Sequence, residues 1–197
     1  ESIDSTPTSP PGLETVGEAD SEMRAAIGSA AKELQDGFDL PEIPPVLRYQ
    51  RQGDGSWGNY NVNTGVVEID PSVDPDLAKM SYVHERGHMA DLPPAVTRMT
   101  RKGIKTELSP AEAEAREALL ERLRETPTFQ ALKAAKKDIA KEFSDPRTRK
   151  RMNALLNYLM SDEELIARAF AQHVGTSRSG LAKAWKKFSE GYRADTG

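Results

Sequence analysis

Cysteine is absent from this chain of 197 residues. Disulfides, thiol nucleophiles and thiolate metal sites are excluded together. Aromatic residues are scarce, at 6%, while 29% of residues are charged, so an aliphatic core under a well-solvated surface is expected. No apolar run approaches the ~20 residues that a membrane-spanning helix needs, and no membrane partner is expected. The opening stretch Glu1-Ser2-Ile3-Asp4-Ser5-Thr6-Pro7-Thr8-Ser9-Pro10-Pro11-Gly12 is polar and lacks the apolar centre of a signal peptide. The chain does not open on Met, which suits an excised domain or a processed secreted or phage-associated product. Net charge is −4, which gives no support to nucleic acid as the main partner. The length suits one domain with a real core, and a monomer is expected.

Residues 1 to about 18 read as a disordered arm or linker, and 19–197 as a single domain. A helix is expected from Ser21 to about Gln35. Met23, Ala26, Ile27, Ala30, Ala31 and Leu34 follow helical spacing there, and Gly37 supplies a stop. Pro41 to Pro45 breaks the chain, Val46 to Gln50 is a short strand, and Gly53 to Gly58 a loop. Tyr60 and Val62 then alternate with polar residues, Asn63-Thr64-Gly65 is turn chemistry, and Val66 to Ile69 returns as the second arm of a hairpin. Asp74 as N-cap and Pro75 as first residue open a helix that runs to about Asp91 and stops at Pro93-Pro94. From Ser109 onward the chain reads as helical. Ser109-Pro110-Ala111-Glu112 is a capping box for a helix to about Glu125. Further helices are expected from Thr128 to Phe143, from Asp145-Pro146, from Ser161 with Gly175 as a candidate stop, and from Leu181 to about Tyr192. The order is a helix, a small sheet and a mainly helical C-terminal half, which is an α+β class.

Against these absences stands one motif. His84-Glu85-Arg86-Gly87-His88 is H-E-x-x-H, in a chain with three histidines. Two positions four apart on a helix share a face, so both imidazoles can reach one divalent metal, usually zinc. The glutamate beside them can take a proton from a water that the metal activates. A third protein ligand is still needed. The histidine-rich metzincin pattern would place it six residues after His88, where Pro94 stands. The candidates are Asp91, Glu163, Glu164 and His173. Asp91 shares the helix of His84 and fits better as an acceptor behind a ligand or as a helix-end acid. His173 lies on a stripe with Ile166, Phe170 and Val174, the pattern of a partly buried structural histidine. Glu164 is preferred. Ala167 and Ala171 share its helix face and Gly87 faces them from the other helix, which would allow a close approach. Glu164 has a rival role, because Ser161-Asp162-Glu163-Glu164 is itself a capping box. Glu163 would take the metal or the cap if the register slips by one. The basic run Arg147-Thr148-Arg149-Lys150-Arg151 reads as a solvated helix face, although a helix N-terminus is an unfavourable place for it. Trp57 and Tyr60 are open between lining a cleft and packing on the sheet, and Tyr158 can be a core tyrosine on a Leu-rich helix.

The segments His84-Glu85-Arg86-Gly87-His88-Met89-Ala90-Asp91 and Glu164-Leu165-Ile166-Ala167-Arg168-Ala169-Phe170 resemble the two signatures of the anthrax-lethal-factor-like gluzincins. Similar pairs occur in metallopeptidase-like domains of phage head-morphogenesis and other mobile-element proteins. The resemblance implies a zincin-like fold, zinc held by His84, His88 and Glu164, and Glu85 as general base. It also implies a tyrosine that stabilises the oxyanion. The family has it about seven residues before the third ligand, and Tyr158 stands six before. The activity implied is zinc-dependent hydrolysis of peptide bonds in a protein or peptide, with an edge strand of the hairpin holding the substrate. The alternatives are a catalytically silent zinc-binding assembly domain of a phage or mobile element, or a secreted effector or toxin protease domain. The helical insert, about 94–152, lies outside the resemblance.

Overall fold

The computed structural model describes residues 15–37, 46–53, 56–92, 97–100 and 103–196. Asp20 opens the first helix, its carboxylate accepting from the Met23 amide at 2.7 Å. That helix, α1 (Ser21–Gln35), buries Met23, Ile27, Ala30, Ala31 and Leu34, the face that the apolar spacing marked. Four short strands form one sheet: β1 (Thr15–Val16), β2 (Val46–Tyr49), β3 (Gly58–Asn61) and β4 (Val66–Ile69). Their order is β1-β2-β4-β3, with β2 parallel to both neighbours and β3 antiparallel at one edge. The β3–β4 register pairs Tyr60 with Val67. Its turn is held by the Asn61 side chain, which accepts from the Asn63 and Thr64 amides, and by Gly65 at φ 71°. A positive φ costs glycine nothing, which is why the turn ends there.

The second helix, α2 (Pro75–Asp91), starts where Asp74 caps it and Pro75 occupies the first turn. A surface helix buries one stripe, but α2 is buried almost all round, from Ala78 to Met89. It packs against α1, β3, β4 and two later helices, α6 (Asp162–Ser177) and α7 (Ala182–Thr196). The main core therefore wraps α2, with Leu47, Val67 and Ile69 from the sheet and Val174, Leu181 and Phe188 from the C-terminal helices. Between α2 and α6 run β5 (Thr97–Thr100), β6 (Gly103–Thr106), α3 (Pro110–Arg124), α4 (Pro127–Glu142) and α5 (Pro146–Leu159). The hairpin of α4 and α5 has a small core of its own from Leu132, Ile139, Leu156 and Leu159. A third cluster, Leu120 with Leu165 and Ile166, joins α3 to α6. Among the described residues no helix is long and apolar enough to cross a membrane.

The architecture is α+β, as the element order implied. Several details differ from the expectations. The arm expected over 1–18 ends in the sheet, because Thr15–Val16 pairs with Leu47 and Arg48; residues 1–14 lie outside the described residues, as do Pro41 to Pro45 and Pro93-Pro94. The insert is not wholly helical, since β5 and β6 form an antiparallel hairpin. Gly175 does not end α6. The helix runs on to Ser177, and the missing side chain lets Trp185 close in: a Cβ at Gly175 would lie 2.6 Å from that of Trp185.

Candidate metal centre

His84 and His88 sit one turn apart on α2, their rings edge to face with centroids 4.8 Å apart. The Nε2 atoms of both lie 3.4 Å from one oxygen, Oε2 of Glu164 on α6. The three residues offer ligand atoms within 4.8 Å of one another, and the Glu164 side chain is fully buried. Two ligands at ~2.0–2.2 Å from a tetrahedral zinc stand about 3.4 Å apart. A good N–H···O bond would be shorter, at roughly 2.7–3.2 Å. Both the donor types and the spacing of this cluster therefore fit a divalent ion such as zinc.

Glu164 is delivered by the close meeting of two helices. A Cβ built on Gly87 would lie 3.0 Å from Ala167 Cα and 3.1 Å from its carbonyl oxygen. Any side chain at 87 would push α6 outward, and the glycine's cost of about 1 kcal/mol in helix propensity is offset by this contact. The rival capping role is only half realised. Ser161 Oγ accepts from the Glu164 amide at 3.3 Å, but the Ser161 amide donates to the Tyr158 carbonyl instead of the Glu164 side chain. The Glu164 carboxylate turns to the histidines. Arg168, one turn on, holds it from behind: Nε lies 3.4 Å from the Glu164 carbonyl and 3.6 Å from Oε1, while Nη2 donates to the Leu159 carbonyl. Burial alone would raise the Glu164 carboxyl, but the charges and close approach of His84 and His88 outweigh it and hold the pKa far below the usual range. For His88 burial pulls the other way, and the Glu164 bond with the charges of Glu85, Glu164 and Asp91 raises its pKa.

Glu85 is buried beside the cluster. Burial pushes its carboxyl up, and the imidazoles of His84 and His88 pull it down less strongly. A raised carboxyl is suited to receiving a proton. The edge strand makes room for it, since a Cβ on Gly58 would lie 3.3 Å from Glu85 Cγ. Tyr158, at the end of α5, lies beside Glu164. The residue is 55% exposed, yet its hydroxyl end meets Glu164. Loss of water around that end, the Glu164 charge and hydrogen bond, and the Glu85 charge all raise the phenol pKa, so the hydroxyl stays protonated and able to donate.

The other candidates lie elsewhere. Asp91 is gripped by Arg116 of α3 through paired bonds of 2.7 and 2.8 Å, which ties the insert to α2. Glu163 is outside the ligand group, and its charge acts on Arg116. His173 is exposed on α6, not the partly buried residue that its apolar stripe implied. Trp57 packs edge-on to Phe188 at 5.5 Å, and Tyr60 donates to the Leu92 carbonyl at 3.0 Å, fixing the end of α2. Sequence reasoning missed Arg168, Gly58 and Arg116. Arg168 had a signal, the Glu164–Arg168 spacing of an i,i+4 pair. Gly58 was placed in a loop, and nothing local to Arg116 announces its distant partner. Comparison with family models, curated proteins and solved structures found no match to this chain.

Proposed function

We propose that this chain is a zinc-dependent peptidase domain with a zincin-like fold of the gluzincin type, acting on a protein or peptide. One observation supports it above the rest: two histidines and a glutamate from separate helices converge on one point, with Glu85 buried alongside. His84, His88 and Glu164 would hold the ion. When bound, zinc would polarise a carbonyl and lower the pKa of water toward ~7. Glu85 takes the proton of the attacking water and passes it to the leaving nitrogen. Tyr158 donates a hydrogen bond to the oxygen that gains charge, and Arg168 keeps Glu164 in place behind it. The outer edge of β3, which pairs with no further strand among the described residues, holds an extended peptide and lays its backbone beside Glu85.

Metal analysis and cleavage of a broad peptide library test this reading together. About one zinc per chain is expected. Glu85→Gln should retain zinc and lower cleavage by roughly 10²–10⁴-fold, the usual share of a general base. Deep burial of Glu85 and Glu164 favours a second reading, a silent zinc-binding assembly domain of a phage or mobile element. If wild type and Glu85→Gln both hold zinc and neither cleaves, that second reading replaces the first.

A further inference from the structure

The hairpin of α4 and α5 carries charge that neither its own stability nor the metal site explains. Residues 127–160 hold eight Lys and Arg against three Asp and Glu, a net of +5, in a chain whose total is −4. The remainder of the chain is therefore at −9. Arg147, Arg149, Lys150 and Arg151 crowd the first turns of α5, where the helix dipole disfavours cations. Helix stability would not select that arrangement.

A groove of about 620 Å³ opens on this hairpin. Phe129 and Met160 give it an apolar floor, while Arg124, Lys133, Lys136 and Asn157 line it. Its charges are not equal. Arg124 is already held by Glu117 and Asp162, at 2.9 and 2.8 Å. Lys136 donates to Asn157, a neutral partner, and Lys133 makes no ion pair among the described residues. Both lysines are exposed, and Glu125 is the one acid on the lining. The groove also adjoins the candidate metal centre. Asn157 and Met160 flank Tyr158, whose hydroxyl meets Glu164, and Arg124 pairs with Asp162 two residues before Glu164.

We propose that this groove binds an acidic segment bearing a bulky apolar side chain, carried by the protein on which the metal centre acts. The link to a substrate rests on the peptidase reading; the binding itself does not. Lys133 and Lys136 meet the carboxylates, and the floor of Phe129 and Met160 takes the apolar group. A short peptide suits the site better than nucleic acid. Duplex DNA carries a charge every ~1.7 Å along its axis and would extend past the hairpin into the acidic remainder.

The test uses fluorescence anisotropy on the whole chain, with a labelled short peptide alternating Asp with Leu and Phe. A Lys-for-Asp version of the peptide and a labelled oligothymidylate are the comparison probes. The acidic peptide should bind, and binding should weaken between roughly 50 and 200 mM salt as charges are screened. Lys133→Glu with Lys136→Glu should weaken it at least about tenfold, whereas Arg147→Glu with Lys150→Glu, on the same hairpin but off the groove, should change it less than about threefold. Lys133→Ala with Lys136→Ala should give a smaller loss in the same direction. Equal losses from the two reversed pairs would reveal a diffuse field and overturn the groove. So would tighter binding of the oligothymidylate, or no binding of the acidic peptide by folded wild type. A chain that binds the peptide but cleaves nothing would sink the peptidase reading and leave the groove standing.

Discussion

The four-residue pattern Ser-x-x-Glu occurs twice before a helix, at Ser109–Glu112 and at Ser161–Glu164, and the two copies end differently. At α3 the box closes. Ser109 Oγ accepts from the Glu112 amide, and the Glu112 carboxylate accepts from the Ser109 amide at 2.8 Å. At α6 the hydroxyl half forms, but Glu164 leaves its serine for His84 and His88. Local sequence is the same in kind at both places. What differs is the neighbourhood: Glu112 faces solvent, whereas Glu164 is pressed against a helix that carries two imidazoles. A motif whose local role is worth about 1 kcal/mol is redirected once a stronger partner lies within reach.

Four measurements break or sharpen that contrast. The largest effect belongs to Glu164→Ala, which should lower zinc affinity by at least about 100-fold, beyond what support residues of metal sites usually contribute. Glu163→Ala should lower it less than about threefold in the same titration. Equal small effects would return Glu164 to the role of a cap. Next comes Gly87→Val. Its side chain must displace Ala167, so chemical denaturation should show a loss of about 1–3 kcal/mol. With α6 pushed off, Glu164 should gain freedom to close its own box. Third, Ser109→Ala and Ser161→Ala should each cost about 1 kcal/mol. A double-mutant cycle should then show coupling of about 0.5 kcal/mol or more between Ser109 and Glu112, and near none between Ser161 and the Glu164 carboxylate. The smallest effect is a titration. Hydrogen bonds from the Ser109 side chain and amide hold the Glu112 carboxyl below its ordinary value. A depressed carboxyl contributes stability above the unfolded-state pKa and loses it as pH falls through the folded one. Carboxyl NMR should place Glu112 below the ordinary glutamate value, and Ser109→Ala should bring it back.

The legible parts of this chain were those written locally. Caps at Asp74, Ser109, Asp145 and Ser161 mark the starts of four helices, because a short polar side chain before a helical stripe is read from adjacent residues. The spacing of His84 and His88 fixed a shared face for the same reason. Gly87 with Ala167 was also readable, since small residues on two faces suggest contact before the contact is seen. What escaped depended on distance or on weak turn chemistry. The hairpin of β5 and β6 has Arg101-Lys102 between its strands, not the Asn-Gly type of turn that announces one. The paired bonds of Arg116 and Asp91 join residues 25 apart through the fold alone. Gly175 resembled a stop because a helix-ending glycine and a packing glycine look alike until Trp185 is in view.

The burial of α2 on almost every side has a consequence for the timing of events within the molecule. A helix on the surface can fray and re-form while the rest stays folded, and its amide hydrogens then exchange quickly. No such local route is open to Val83 through His88, because the sheet, α1, α6 and α7 would all have to move aside. Their amides should exchange at the rate of whole-domain opening and be among the slowest in the chain. In the unsubstituted chain the histidines of the cluster should therefore part from Glu164 on that same slow timescale.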